Sequence, residues 1–263
     1  MTEAELLARS DANCYEAWRL TAANADGGET WESDGIVVAA TGASVGWLNP
    51  VFVTRPLGRP EQALRRAVEY FDDRGLPFIV RVREGLDERT ERTCEDTGLP
   101  YRDTLPGMAL SPLSVVEDRA APVEIKVVED AAGFAQFVTI MAECFHLDPD
   151  MTARMLRPRL LDIPDSRWYL GYVDGQPAGA AALIMSHRVA GVHYVGTREA
   201  FRGRGIGEAT TRRAVREGAA AGCLFSSLQA SQMGRPVYER IGFRTITGYK
   251  TFVRPEQPEQ REA

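Results

Sequence analysis

The sequence predicts an α+β protein built from mixed, mostly antiparallel sheets flanked by helices, in two domains placed in tandem. Three observations lead there. The chain has 263 residues, at or beyond what one hydrophobic core supports, so two cores are the default. Short β-branched and aromatic runs alternate with apolar stripes at helical spacing along the whole length. One order of elements also occurs twice. In the first half a helical segment, Gly75-Leu76-Pro77, a strand, a second helix and Cys94-Glu95-Asp96-Thr97-Gly98-Leu99 succeed one another. In the second half a helical segment, Gly222, a strand, a second helix and Tyr238-Glu239-Arg240-Ile241-Gly242-Phe243 do the same. A diverged internal duplication accounts for both.

In order, residues 4–8 and 14–23 read as helix, with Tyr15, Trp18 and Ala22 on one face. Residues 35–40, 45–48 and 51–53 read as strands. Pro60 suits the first turn of a helix whose stripe is Ala63, Leu64, Ala67, Val68 and Phe71. A strand over 77–82 and a helix over 86–97 end the first domain, assigned to 1–115. Residues 111–122, rich in Ser, Pro and charge, read as a linker. The second domain, 122–254, opens with a strand at 123–128 and an amphipathic helix at 131–144, and a further helix is expected over 152–161. Asp174-Gly175 is a strong two-residue turn signal between strands at 168–173 and 178–185. The tail, 255–263, rich in Glu and Gln, reads as disordered.

Composition excludes several classes. No apolar run approaches membrane-spanning length, and the N-terminus is acidic where a signal peptide is basic and apolar, which predicts a cytoplasmic protein without membrane contact. Cys14, Cys94, Cys144 and Cys223 are isolated and read as reduced thiols; with His146, His187 and His193 scattered, no metal site is expected. The net charge of −6 divides into −8 over residues 1–120 and +2 over 121–263. An acidic chain argues against nucleic-acid binding, and the second half is the one that tolerates an anionic ligand.

That half contains a strand at 192–197, then Arg202-Gly203-Arg204-Gly205-Ile206-Gly207, then a helix over 207–221. A Gly-rich turn feeding a helix N-terminus presents bare backbone N–H groups and the positive end of the helix dipole to an anion. The expected guest is a phosphate. The dinucleotide pattern G-x-G-x-x-G fails, because counting from Gly203 the sixth position is Glu208, and no Gly-Lys-Ser/Thr follows for a Walker loop.

What the loop does match is R-x-x-G-x-G, through Arg202, Gly205 and Gly207, and in this it resembles the acyl-CoA loop of the GNAT superfamily of N-acetyltransferases. A second stretch agrees: an apolar strand at 223–229, Ser231, a helical segment, and then Tyr238-Glu239-Arg240-Ile241-Gly242-Phe243, which looks like the family's closing motif. The resemblance implies two tandem GNAT-like domains. The first is a degenerate copy without CoA motifs: Arg55-Pro56-Leu57-Gly58-Arg59-Pro60 stands where the loop belongs, its prolines removing N–H donors, and Cys94 stands where Tyr238 does.

The same resemblance implies an N-acetyltransferase that moves an acetyl group from acetyl-CoA, as cosubstrate, to a primary amine by direct attack. The acceptor is a small-molecule or peptide amine, and the protein is a monomer or homodimer. Arg202, Gly203, Arg204, Gly205, Ile206 and Gly207 would hold the diphosphate, and Val195, Gly196 and Thr197 would meet the pantetheine arm and thioester. Ser231 falls where many relatives place an Asn on CoA, a departure from the pattern. Tyr238 takes the general-acid position. His193 is the base candidate on its residue type, or else points into the sheet. Glu143, Asp148 and Asp150 are placed near the acceptor, and Met141, Phe145, His146, Leu147, Met151, Met155 and Trp168 suggest an apolar cleft wall. Arg235 either approaches the adenosine phosphates or is a solvated surface residue. Two other readings stay open: a CoA-binding sensor or scaffold without turnover, and transfer of a longer acyl group.

Overall fold

A computed structural model describes residues 1–116 and 123–254. The tail expected at 255–263 and the linker residues 117–122 lie outside the described residues. The first half contains α1 (Glu3–Asn24), β1 (Glu29–Ser33), β2 (Ile36–Ala40), β3 (Pro50–Val53), α2 (Pro60–Asp72), β4 (Ile79–Arg83), α3 (Glu88–Asp96) and β5 (Tyr101–Leu110). The second contains β6 (Glu124–Val127), α4 (Ala131–Phe145), α5 (Pro149–Met155), β7 (Ser166–Val173), β8 (Gln176–Ser186), β9 (Val189–Thr197), α6 (Ile206–Ala220), β10 (Phe225–Gln229), α7 (Arg235–Ile241) and β11 (Arg244–Val253).

Local chemistry explains most boundaries. Thr2 and Glu5 form a reciprocal capping box, so the two helical runs expected near the N-terminus are one helix. Asp87, Asp130 and Asp148 cap α3, α4 and α5 through their carboxylates. Asp174 and Gly175 have φ of 50° and 74°, the twisted hairpin turn their sequence demands. His187 and Arg188 make a second such turn, at 53° and 61°, without a glycine to announce it. The strand expected over 45–48 is instead a 3-10 turn, Gly46–Leu48, that buries Leu48 against the second half.

Among the described residues, eleven strands form one sheet, in the order β1-β2-β3-β4-β11-β5-β10-β9-β8-β7-β6. Among the described strands only β3–β4 and β9–β10 pair in parallel; each is the strand–helix–strand step of its own half, through α2 or α6. The last strands are exchanged. β5 of the first half lies against β10 of the second, and β11 of the second half lies against β4 of the first. The two exchanged strands then pair with each other from Tyr101 to Ala109. The two GNAT-like sheets expected from the duplication are thus completed by one another. Met108, Leu110, Tyr249 and Phe252 are buried on the exchanged strands, and each such side chain contributes about 1.5–3 kcal/mol.

Residues 1–116 and 123–254 expressed together as two separate chains should therefore co-purify as a one-to-one complex. Sedimentation at high salt checks this, since ladder hydrogen bonds and apolar burial are little screened. Recovery of two independent monomers would mean that each half takes back its own last strand.

Helices α4 and α1 share one face of the sheet, where Trp18 packs into the cluster of Phe134, Phe137 and Trp168. α6 and α7 cover the opposite face of the second half, and α2 and α3 cover theirs in the first. The site lies at the seam under α1.

Candidate active site

The parallel pairing of β9 with β10 runs from Val189–Phe225 only to Gly191–Ser227. Beyond Gly191 the two strands separate, while β9 stays paired to β8 as far as Thr197. Two residues of β9 bulge out between the pairs Ala180–Gly196 and Ala182–His193, and Tyr194 takes φ of 53° there. A non-glycine at positive φ is strained. The Tyr194 hydroxyl meets Thr21 Oγ1 at 2.6 Å on α1, which holds the bulge in place. The backbone of 192–197 is consequently left without a β10 partner, and Val192, His193, Tyr194 and Val195 all line a cavity of about 310 Å³.

At the end of β9 the chain turns through Glu199–Phe201 into the glycine loop. Gly203 and Gly205 have φ of 78° and 77°, with nothing within 4 Å of where a Cβ would stand. Gly205 is the N-cap of α6 and no side chain caps the helix. The first bond of α6 runs from Ala209 N–H to Gly205 O, so among the described residues the amides of Ile206 and Gly207, in the first turn of the helix, are left to an outside acceptor. Glu208 does not oppose an anion there. Its carboxylate is drawn back to Arg212 at 2.9 Å and Arg240 at 3.6 Å. Thr197 Oγ1 comes within 3.5 Å of the Cβ position of Gly207, so strand end and loop adjoin. Gly196 has a packing reason as well, because a Cβ would meet Met141 Cε and Cys144 Sγ of α4.

The corresponding turn in the first half is filled from within. Asp87 accepts the Leu57 N–H at 2.9 Å, Pro60 occupies the first position of α2, and Cys94 is fully buried, its thiol pushed up to about 12 by desolvation.

Tyr238 and Ser231 reach the cavity from the segment after β10. Ser231 Oγ accepts the Gly234 N–H at 3.1 Å. Tyr238 packs edge-on to Phe243 at 6.0 Å between ring centres, and burial pushes its phenol up to about 12. His193 does not disappear into the sheet. It lies in the cavity wall with Nε2 unpartnered, and burial pushes its imidazole down to about 4.

Other expectations are revised. Met141, Phe145, Leu147 and Met155 do line the cavity, but Trp168 is 1% exposed and Met151 is core. His146 ends α4 in the left-handed conformation. Glu143 is held by Arg198 at 2.6 and 2.9 Å, Asp148 is spent capping α5, and Glu143 and Asp150 line a separate groove between α4 and α5. Arg235 pairs with Glu239 on the surface. Five residues that sequence reasoning missed come from the first half: Trp18, Trp47, Arg81, Arg102 and Leu105 help complete the wall. Their signal was spread over four separate elements, and only the strand exchange assembles them. Gln229, on β10, also joins the wall and accepts from Cys14 Sγ at 3.3 Å.

The splayed parallel pair and the bulge open onto this cavity, and the uncapped N-terminus of α6 adjoins the end of the same strand. The family model of the Acetyltransferase (GNAT) family matches residues 134–243. This chain carries a GNAT acetyltransferase domain. The fold of the whole chain is shared more widely. A GCN5-related N-acetyltransferase from Kribbella flavida, 18% identical, superposes with a TM-score of 0.73 over 94% of this chain and 96% of its own. A functionally unknown conserved protein from Staphylococcus epidermidis, 15% identical, gives 0.62 over 85% and 92%. A GCN5-related N-acetyltransferase from Sphaerobacter thermophilus, 16% identical, gives 0.61 over 85% and 82%. No curated protein matches the sequence. The GNAT domain implies acetyl-CoA as cosubstrate, and the open amides of α6 with the unpartnered β9 edge fit a diphosphate followed by an amide-bearing arm. Among the described residues, no helix is long and apolar enough to cross a membrane, and no group of three or more His, Cys, Asp or Glu is placed to hold a metal.

Proposed function

We propose that the chain transfers the acetyl group of acetyl-CoA to a small primary amine by direct attack. The observation that carries this reading is that the bulged edge of β9, Tyr238 and His193 meet around one small cavity, while the end of the same strand adjoins the glycine loop, with Thr197 Oγ1 3.5 Å from the Cβ position of Gly207. Gly203 to Gly207 hold the diphosphate through backbone donors, with Arg202 and Arg204 adding positive charge. The unpaired β9 backbone at Val195 orients the thioester and stabilises charge on its carbonyl oxygen. The amine enters as its neutral form, which an apolar cavity favours over ammonium. As the nitrogen–carbon bond forms, that nitrogen becomes acidic, and its proton passes to His193, which burial keeps unprotonated beforehand. The carbon–sulfur bond breaks toward Tyr238, whose hydroxyl donates to the departing thiolate.

The test is thiol release from acetyl-CoA across a panel of amines, with the N-acetyl product confirmed by mass spectrometry and an acyl-CoA chain-length series run beside it. Release well above background hydrolysis with at least one amine, fastest with acetyl, is expected. Tight CoA binding with no release for any amine would favour a sensor.

A further inference from the structure

The far wall of the cavity contains a charge that acetyl transfer alone does not use. Arg81 stands on β4, in the half without the phosphate loop, and is 7% exposed. A buried guanidinium ordinarily rests against a carboxylate or several carbonyl oxygens, since an unpaired charge away from water is heavily penalised. Here Nε has no partner, and among the described residues no hydrogen bond or ion pair reaches the Arg81 side chain. Its side chain lines the cavity that holds His193 and Tyr238. Arg81, Thr251 and Asp103 lie abreast on β4, β11 and β5. Each leaves one buried polar atom unmatched, namely Nε, Oγ1 and Oδ1. Of the three, Arg81 lines the cavity, where its neighbours in the wall include the apolar Trp18, Leu48, Met141 and Leu156.

Charge decides what this part of the wall accepts. Asp103 attracts Arg81 from a distance, but its Oδ2 is already bound by Arg102 Nε at 2.7 Å, and Arg102 also borders the cavity. Two guanidinium groups against one carboxylate leave one positive charge unbalanced. His193, Tyr238 and the nearby Cys14 add none, because burial keeps all three in their neutral forms. We propose that Arg81, supported by Arg102, binds a carboxylate on the acceptor, so that this site acetylates small amino acids, molecules that bear one amine and one carboxylate. The inference rests on the acetyl-transfer reading for the amine and adds the recognition of its other end. A planar guanidinium fork matches two carboxylate oxygens. The cavity volume of about 310 Å³ lies at the low end of small-molecule sites, ~300–1,000 Å³, which suits one amino acid and not a stretch of polypeptide. The degenerate half then has a task of its own: it brings the anion clamp to a site whose chemistry the other half supplies.

The experiment is calorimetry on the full chain with CoA present, titrating single amino acids, β-alanine included, against their primary amides. Thiol release with acetyl-CoA is measured on the same set. The tightest-binding acid is expected to bind at least ~10-fold better than its amide, as one charge-assisted bidentate pair provides. Arg81→Met should erase the difference and raise the melting temperature, because it removes an unpaired buried charge without a large change in volume. Arg81→Lys should keep part of the preference. A lower melting temperature in Arg81→Met, with acid and amide binding alike in the wild type, would assign Arg81 to structure and overturn the proposal. So would a carboxylate preference that survives in Arg81→Met, or tighter binding of phosphoethanolamine than of β-alanine. A carboxylate preference in binding without thiol release would leave the clamp standing and defeat the acetyl-transfer reading instead.

Discussion

Gly205→Glu should abolish acetyl-CoA binding at working concentrations while the protein stays folded. Position 205 has φ of 77°, where a side chain costs about 1–2 kcal/mol of backbone strain. A Cβ there meets nothing within 4 Å, so strain is the only steric penalty. The new carboxylate would stand at the uncapped N-terminus of α6, beside the amides of Ile206 and Gly207. Negative charge at that end is stabilising in itself, which offsets part of the strain and keeps the melting temperature within a few degrees. For the coenzyme the same carboxylate is a competitor for every donor and a like charge beside a diphosphate. A loss of at least ~100-fold in affinity, roughly 3 kcal/mol, is the expected result by calorimetry. Gly205→Asn tolerates positive φ and carries no charge, so it should fall between the two. Unchanged affinity in the Glu variant would move the diphosphate away from this loop, and every assignment built on it would go too.

How much of this was legible in the sequence differs by kind of information. The loop, its helix and the Tyr238 segment were readable because their signals are local: glycines at 203, 205 and 207, and Gly242 closing α7 with φ of 112°. The Asp174-Gly175 hairpin was readable for the same reason. The duplicated order of elements was also legible, yet which strand completes which half was not. A strand's partner leaves no mark in its own alternation of residues, and β5 conceals itself further by carrying Pro106 and Gly107 in its interior. Pro106 has no N–H to give; its carbonyl accepts the Ala230 N–H at 2.9 Å instead. Because β5 and β4 were invisible as neighbours of the second half, so were Arg102 and Arg81. Acidic residues near the site in sequence were misleading in the opposite sense. Glu143 and Asp148 have structural tasks, an ion pair with Arg198 and a helix cap, and residue type alone does not distinguish these from acceptor recognition.

Tyr238→Phe should lower kcat by roughly 100-fold, the scale of a lost general acid, and leave the KM for acetyl-CoA nearly unchanged. The ring contacts with Gly234 and Phe243 persist in phenylalanine, so a loss of turnover with an unaltered melting temperature isolates the hydroxyl. Its acidity indicates how it acts. With the phenol pushed up to about 12 and a free thiol near ~8.5, outright proton transfer to the thiolate is uphill by ~3.5 units, or about 5 kcal/mol. The larger contribution is therefore a hydrogen bond to negative charge as it develops in a desolvated site, with the proton following late. This carries a sign for the pH profile. Tyr238 stays protonated below about 12 and His193 stays unprotonated above about 4, so neither titrates between about pH 6 and 9. Any rise of kcat/KM over that range must then belong to the acceptor's own ammonium group losing its proton. Replacing one acceptor by another of lower amine pKa should shift the rising limb downward by the same amount. Tyr238→Phe should lower the whole profile without shifting the limb. A limb that stays put when the amine is changed would require a protein group that titrates near neutrality, and the roles given to His193 and Tyr238 would fail together.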